Sequence, residues 1–443
     1  MNNKYKDIPR RSFLKTTAAS IVIPYILPSS VVISSDRPVP SKQLTLGLIG
    51  LGSMGMRHLK GFLQEEDCRI VGVCDVDGRR RTAAVGEINK HYNNSDCVEY
   101  SDYRELVARN DVDTVCISVP DHWHAIIALE GILAGKDIYG EKPLTLTISE
   151  GQTLVEAVNR YKCVWQTGSW QRSTSHFRFG CELVRNERIG KLQKVEVGIG
   201  PGFKGPGGPT VYGIGPQPVQ QVPKDLDYEM WLGPAPWAPY TEKRCHWNFR
   251  WILDYSGGQV TDWGAHHIDI AHWGMGCDET GPAEVSGTGK FPDDGLWDAA
   301  ADYDFECKYA GGLVMRVASN NHLRQGVRFI GEKGWVHITR GGLDANPKKL
   351  LKEKIGSGEI HLARPSSDHR QGHRRDFLDC VKTRAQTITP VEIGHRSAIP
   401  AHLGNIAMLV GRKIRWDSKV EMIIDDPVAA RMLSRPMRTP WHL

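Results

Sequence analysis

Six residues, Gly50-Leu51-Gly52-Ser53-Met54-Gly55, constrain this chain more than any other stretch. They directly follow Leu44 to Ile49, a short apolar run suited to a buried parallel strand. They lead into a segment from about Met54 to Leu63 that carries Met56, Leu59 and Leu63 at helical spacing. Strand, GxGxxG and helix in that order form a tight phosphate-binding turn. Gly50 permits the turn, Gly52 lets the backbone approach a pyrophosphate, and Gly55 lets the helix pack closely on the strand. The helix start then offers unpaired N–H groups and the positive dipole end. We therefore expect Gly50, Leu51, Gly52, Ser53, Met54 and Gly55 to hold a dinucleotide.

A second apolar strand, Ile70 to Cys74, ends at Asp75. An acid about 20 residues past the last glycine accepts hydrogen bonds from the ribose hydroxyls. It also repels a 2′-phosphate, which favours NAD, while Arg79 to Arg81 close by keep NADP open. The alternation continues: strand Thr114 to Val119, helix Ala125 to Ala134, strand Asp137 to Tyr139, helix Ser149 to Arg160, strand Val164 to Thr167. Strands and helices in turn imply a doubly wound parallel sheet, with ligands beyond the carboxyl ends of its strands. Ser118, Pro120, His124, Glu141, Lys142 and Arg172 fall there, and we expect them at the cofactor.

The formal net charge is +5, and no basic run stands out beyond Arg79 to Arg81. That argues against a nucleic-acid partner, which needs a concentrated basic face. The 10 cysteines form no CxxC pair. Cys68, Cys74, Cys116, Cys163 and Cys307 lie in or beside apolar stretches and read as buried free thiols. At the other extreme of pattern, Arg10-Arg11-Ser12-Phe13-Leu14-Lys15 opens an uncharged, mostly apolar stretch from Thr16 to Ile33, broken by Pro24 and Pro28. This reads as a twin-arginine export signal over residues 1–35, with the translocation machinery as a partner and the periplasm as destination. It shows no clear small-x-small cleavage site, which leaves retention as an anchor open. The twin-arginine route carries folded proteins, so a cofactor can travel bound and would then be held tightly.

Pro120-Asp121-His122-Trp123-His124, Glu141-Lys142-Pro143 and Gly257-Gly258-Gln259-Val260-Thr261-Asp262-Trp263-Gly264-Ala265-His266 carry a family pattern. With the glycine turn, they make the chain resemble the glucose–fructose oxidoreductase / inositol dehydrogenase / MocA family. The ending, from Arg396 through Gly404-Asn405-Ile406 to Pro440-Trp441, looks like its exported, sugar-acting branch in polysaccharide-degrading bacteria. The resemblance implies a Rossmann domain over residues 42–170. It implies a second domain over 171–443, an open, mainly antiparallel sheet with helices that carries the substrate face and a homo-oligomer interface. It also places Lys142 beside the nicotinamide and assigns an Asp-x-x-x-His element to Asp262 and His266.

Oxidising an alcohol removes a hydride from carbon and a proton from oxygen. A histidine such as His266 can take that proton, and a neighbouring carboxylate, Asp262, would orient its ring. Lys142 would stabilise charge on the oxygen. Duller readings stand beside these: Asp262 as a helix cap, His266 as a core histidine, His267 and His272 as packing residues. His266, His267, Asp269 and His272 lack a second ligand pair, and we expect no metal. His246 to Trp251 mixes aromatic and polar side chains, which suits either a sugar or a buried cluster. Trp170, Arg250 and His267 are our candidates for contacting the substrate.

Phe203 to Pro239 is rich in Gly and Pro and reads as a long loop, either a surface arm or a substrate cover. Beyond it, Ala300 to Glu306, Leu313 to Ala318, Val327 to Ile330 and Trp335 to Thr339 alternate like strands, and Leu343 to Ser367 reads as a loop. The resulting expectation is an NAD(P)-dependent oxidoreductase acting on a sugar or sugar derivative, in carbohydrate or polysaccharide degradation. Two rivals remain. One is a glycoside hydrolase, lyase or epimerase using tightly bound NAD transiently, although Asp262 to His266 looks like the dehydrogenase form of the motif. The other is a non-catalytic sensor.

Overall fold

A computed structural model describes residues 43–204 and 208–443. The twin-arginine segment and the linker after it lie outside the described residues. Six strands pair in parallel: β1 Leu44–Ile49, β2 Cys68–Cys74, β3 Val98–Tyr100, β4 Thr114–Ile117, β5 Asp137–Gly140 and β6 Trp165–Thr167. Their order is β3-β2-β1-β4-β5-β6, so the winding reverses between β1 and β4 and opens a crevice there. Helices cover both faces, which is why β1, β4 and β5 are almost wholly buried.

The helix ends differ in a way that matters. Ile148–Tyr161 starts with a capping box between Thr147 and Glu150, and Asp77 caps Gly78–Tyr92. Ser53–Phe62, directly after β1, has no side-chain cap. Its first-turn amides are therefore left to an outside acceptor.

The second sheet has nine strands. They are β7 Leu192–Ile199, β10 Glu284–Lys290, β11 Asp302–Lys308, β12 Val314–Ser319, β13 Gly326–Gly331, β14 Gly334–Thr339, β15 Gly342–Asn346, β16 Ile414–Asp417 and β17 Met422–Ile424. The pair β8 Phe203–Lys204 and β9 Thr210–Val211 stands apart. The order is β15-β14-β13-β7-β12-β11-β10-β16-β17, antiparallel except where β7 meets β12. One face buries Val195, Val197, Val317, Phe329 and Ile338 in a core with residues of Ser175–Arg185, Gly264–Met275 and Val391–Val410. Side chains of the alternate positions pair across the other face, as Arg316 does with Asp304.

Part of this sheet escaped the sequence pattern. The segment read as a loop from Leu343 begins with β15, an edge strand carrying Asp344 and Asn346, residues rare in strands. In β10, Gly287 and Gly289 hide the alternation in the same way. All ten cysteines are free, and only Cys277 is not fully buried.

Candidate active site

Gly50 adopts φ +87°, and a Cβ there would lie 2.5 Å from the Ser118 carbonyl oxygen. A Cβ on Gly55 would fall 1.9 Å from the Gly50 carbonyl oxygen. The turn therefore closes only with glycine at both positions. A cleft of about 420 Å³ opens in front of it. Gly50, Gly52, Ser53, Met54, Asp75, Ser118 and Pro120 line one end. Leu51 and Gly55 shape the turn from behind. Asp75 accepts from the Leu51 amide (2.7 Å) and the Asp77 amide (2.9 Å), so the acid of the second strand also braces the glycine turn. Burial raises its carboxyl above the ordinary value, against the pull of Arg80 nearby.

The other end of the same cleft holds Glu141, Lys142, Trp170, Arg250, Asp262, Trp263 and His266. The short helix Gln259–Asp262 and the following helix Gly264–Met275 present Asp262 and His266. Lys142, just past β5, donates to the Asp262 carboxylate (2.6 Å) and to its carbonyl (2.9 Å). Arg250 approaches the same carboxylate at 3.4 Å. Burial alone would raise the Asp262 carboxyl, but the Lys142 and Arg250 cations outweigh it and hold it at about 2.

Asp262 is thus committed to Lys142, and no hydrogen bond joins it to His266. This corrects the expectation of a carboxylate orienting the histidine. The His266 Nδ1 is buried without a hydrogen-bond partner. Burial first, then the positive charges of Arg340 and Lys142, push its pKa well below the usual value, so the ring is neutral.

Three further expectations are also corrected. Arg172 does not reach the cleft. It is buried and donates to Asp269 (2.9 Å) and Asp278 (2.7 Å), pinning the turn after β6 to the helix Gly264–Met275. The His124 ring bridges the Val119 and Pro143 carbonyls (3.0 and 2.9 Å), which ties the loop after β4 to the segment carrying Lys142. His267 lies behind the site near Gln171, and burial lowers its pKa to about 3. Of the residues weighed as metal ligands, Asp269 pairs with Arg172 and His272 meets the Tyr309 hydroxyl at 2.6 Å. The Glu141 carboxylate is taken up by His58 at 2.8 Å.

Arg80, one of the arginines set beside Asp75 in the sequence, lines the cleft, and so do Arg57, Asp121, Arg340 and Arg370, which the pattern missed. Asp121 lies inside a segment already singled out, and Ser256 donates to its buried carboxylate at 2.5 Å. Arg340 and Arg370 are brought in by the end of β14 and by the helix His369–Thr383, and nothing local marks them.

A parallel sheet with this order, an uncapped glycine turn at its crevice and a Lys142–Asp262 pair facing His266 define a dinucleotide-dependent oxidoreductase. Residues 44–169 match the family model described as "Oxidoreductase family, NAD-binding Rossmann fold". Residues 181–443, more than half of the chain, match "Oxidoreductase family, C-terminal alpha/beta domain". The chain belongs to this Gfo/Idh/MocA family and binds NAD.

An alpha-N-acetylgalactosaminidase from Shewanella oneidensis is 30% identical over 174 residues, 35% of this chain and 38% of that protein. A glycosyl hydrolase family 109 protein from Shewanella putrefaciens is 31% identical over 172 residues, again 35% and 38% of the two chains. The match thus spans well under half the length of these relatives. Among solved structures, the WlbA dehydrogenase from Bordetella pertussis, in complex with NADH and UDP-GlcNAcA, shares the fold. Its TM-score is 0.60 at 15% identity, over 85% of this chain and 99% of that one. The myo-inositol 2-dehydrogenase from Lactobacillus plantarum does so at 0.57 and 16%, over 84% and 99%.

NAD fits what the turn provides: closely approachable backbone at Gly50 and Gly52, uncapped helix amides, and a carboxylate at the end of β2.

Proposed function

We propose that the protein oxidises a hydroxyl, or reduces the matching ketone, of a sugar or sugar derivative. The observation that carries this reading is the single cleft joining the glycine turn to Lys142, Asp262 and His266. NAD, when bound, accepts the hydride from the alcohol carbon. The hydroxyl proton passes to His266, whose ring is neutral and whose buried Nδ1 has no other hydrogen-bond partner; the burial and nearby cations that keep it neutral also work against the charged ring, so the proton must move on. Lys142 has three N–H donors and spends two on Asp262, leaving one for the substrate oxygen. Asp262 keeps that ammonium in place. The rings of Trp170, Trp263 and Trp247 also line the cleft, with the guanidiniums of Arg370, Arg340 and Arg250 packed over them in turn.

We place this activity in bacterial carbohydrate degradation, in the periplasm, with the dinucleotide carried through export in the folded protein. The motivation is the Arg10-Arg11 segment. Denaturing the purified protein and identifying the released dinucleotide tests the cofactor part. A panel of sugars, followed by absorbance of bound NADH, tests the chemistry. If no sugar reduces the bound cofactor and Lys142→Ala changes nothing, the reading is wrong.

The names of the glycosidase relatives favour a second reading. A ketone formed in the ring acidifies the neighbouring C–H and permits loss of the glycosidic oxygen. The aglycone leaves with a proton, water adds across the double bond left behind, and return of the hydride to the ketone then leaves no net redox change. Glycoside turnover without NADH accumulation would select this reading, and a strict need for a second redox substrate would exclude it.

A further inference from the structure

Three guanidiniums in the cleft have no carboxylate partner. Arg340 lies 4.1 Å from the ring centre of Trp263 and 4.9 Å from that of Trp170, and its Nε donates to Gln171 at 2.9 Å. Arg370 lies 4.1 Å from the ring centre of Trp170, and its Nε is buried with no hydrogen-bond partner. Arg57, on the helix Ser53–Phe62, lines the same cleft. None of the three forms an ion pair among the described residues.

The nearby acids are committed elsewhere, Glu141 to His58 and Asp262 to Lys142 and Arg250. Burial and the charge of Arg370 hold the Arg340 guanidinium down at about 10. Arg57 is exposed, while Arg340 and Arg370 are half-buried, and like charges held close together in that setting are relieved when an anion joins them. The patch borders the proton acceptor: the Trp170 and Trp263 rings each lie 6.4 Å from the His266 ring. Arg80 stands separately, beside Gly52 and Asp75 at the glycine turn.

We propose that the site takes a sugar bearing a carboxylate or sulfate group, which Arg340 and Arg370 bind while a hydroxyl of the same sugar faces His266 and Lys142. Resting on the sugar reading above, this names its substrate class. A guanidinium fork matches the paired oxygens of either anion, and stacking on tryptophan fixes its plane. A neutral sugar leaves the buried Arg370 Nε unmet, which weakens its binding.

The test is a titration of NADH-loaded protein with a hexuronic acid, a sulfated hexose and their neutral parent sugars. Binding is read from the fluorescence of the bound reduced nicotinamide, separately from turnover. At least one anionic sugar should bind at least about tenfold more tightly than its parent, with the advantage shrinking as salt rises. The carboxylate and sulfate arms show which anion is preferred. Arg340→Gln and Arg370→Gln should each remove the preference and leave NADH affinity unchanged. Equal binding of charged and neutral sugars overturns the proposal, and so does failure of every anionic sugar to bind. Loss of NADH affinity in both variants with the preference intact also overturns it, and gives the guanidiniums to the dinucleotide phosphates. A sugar acid that binds by this pattern without hydride exchange leaves this proposal standing and sinks the functional reading alone.

Discussion

Lys142 and Asp262 work as one unit, because the ammonium is aimed by the carboxylate that neutralises it. If Lys142 donates to the substrate oxygen as proposed, replacing it with Met should lower kcat by roughly 10²–10³ while NADH still binds; steady-state kinetics beside a binding titration reads both. The same pair sets a pH dependence. Asp262 titrates at about 2 in the folded protein because Lys142 and Arg250 outweigh its burial. Its contribution to stability is therefore complete above the unfolded carboxylate value and is lost as pH falls through about 2. The stability gap between the protein and Asp262→Asn should stay constant near neutrality and narrow below about pH 4. Urea titrations across that range measure it, and a gap that widens on acidification would contradict the ion pair.

Two elements carry the site, and each offers a test of position. The turn from β1 into Ser53–Phe62 has no room for a Cβ at Gly55. Gly55→Ala must push the helix start away from Gly50, costing about 1–3 kcal/mol and most of the NAD affinity. Thermal melts with and without NAD separate the two effects. Arg172 makes the opposite prediction. Arg172→Ala strands the buried Asp269 and should cost about 3–5 kcal/mol in urea unfolding while NAD affinity in the folded protein survives.

These elements also show what was legible. The glycine turn could be read because its signal is local, a strand, three glycines and a helix within 20 residues or so. Lys142, Asp262 and His266 could be named from their motifs, but not their pairing, which spans a sequence separation of 120 between Lys142 and Asp262. Arg172 was misplaced for that reason: position after β6 suggested the crevice, while Asp269 and Asp278, on another element, hold it away. Arg340 and Arg370 carry no local mark, since only the packing of β14 and the helix His369–Thr383 against the crevice brings them there.

At the scale of the whole molecule, buried neutral histidines link the parts of the structure. His122, in the parallel-sheet half, meets the Trp231 carbonyl at 3.0 Å. His373 meets the Thr167 carbonyl at 2.9 Å from a helix more than 200 residues away in sequence. His272 and His402 lie in helices packed on the second sheet. Burial is the leading cause that lowers each of these four to about 4. The sign follows from proton uptake. Below about 6.5 the unfolded histidines bind protons that the folded ones refuse, so their contribution is complete above that pH and is lost on the way down to about 4. Acidification should therefore weaken both sheets together, because the same groups fasten segments across the fold. The urea midpoint should fall between pH 7 and pH 5, with circular dichroism and tryptophan fluorescence moving in step. His373→Gln, which keeps a donor to the Thr167 carbonyl but cannot charge, should reduce that fall. An unchanged midpoint from pH 7 to pH 5 would mean that these rings take up protons in the folded state, and that the segments they fasten open at little cost.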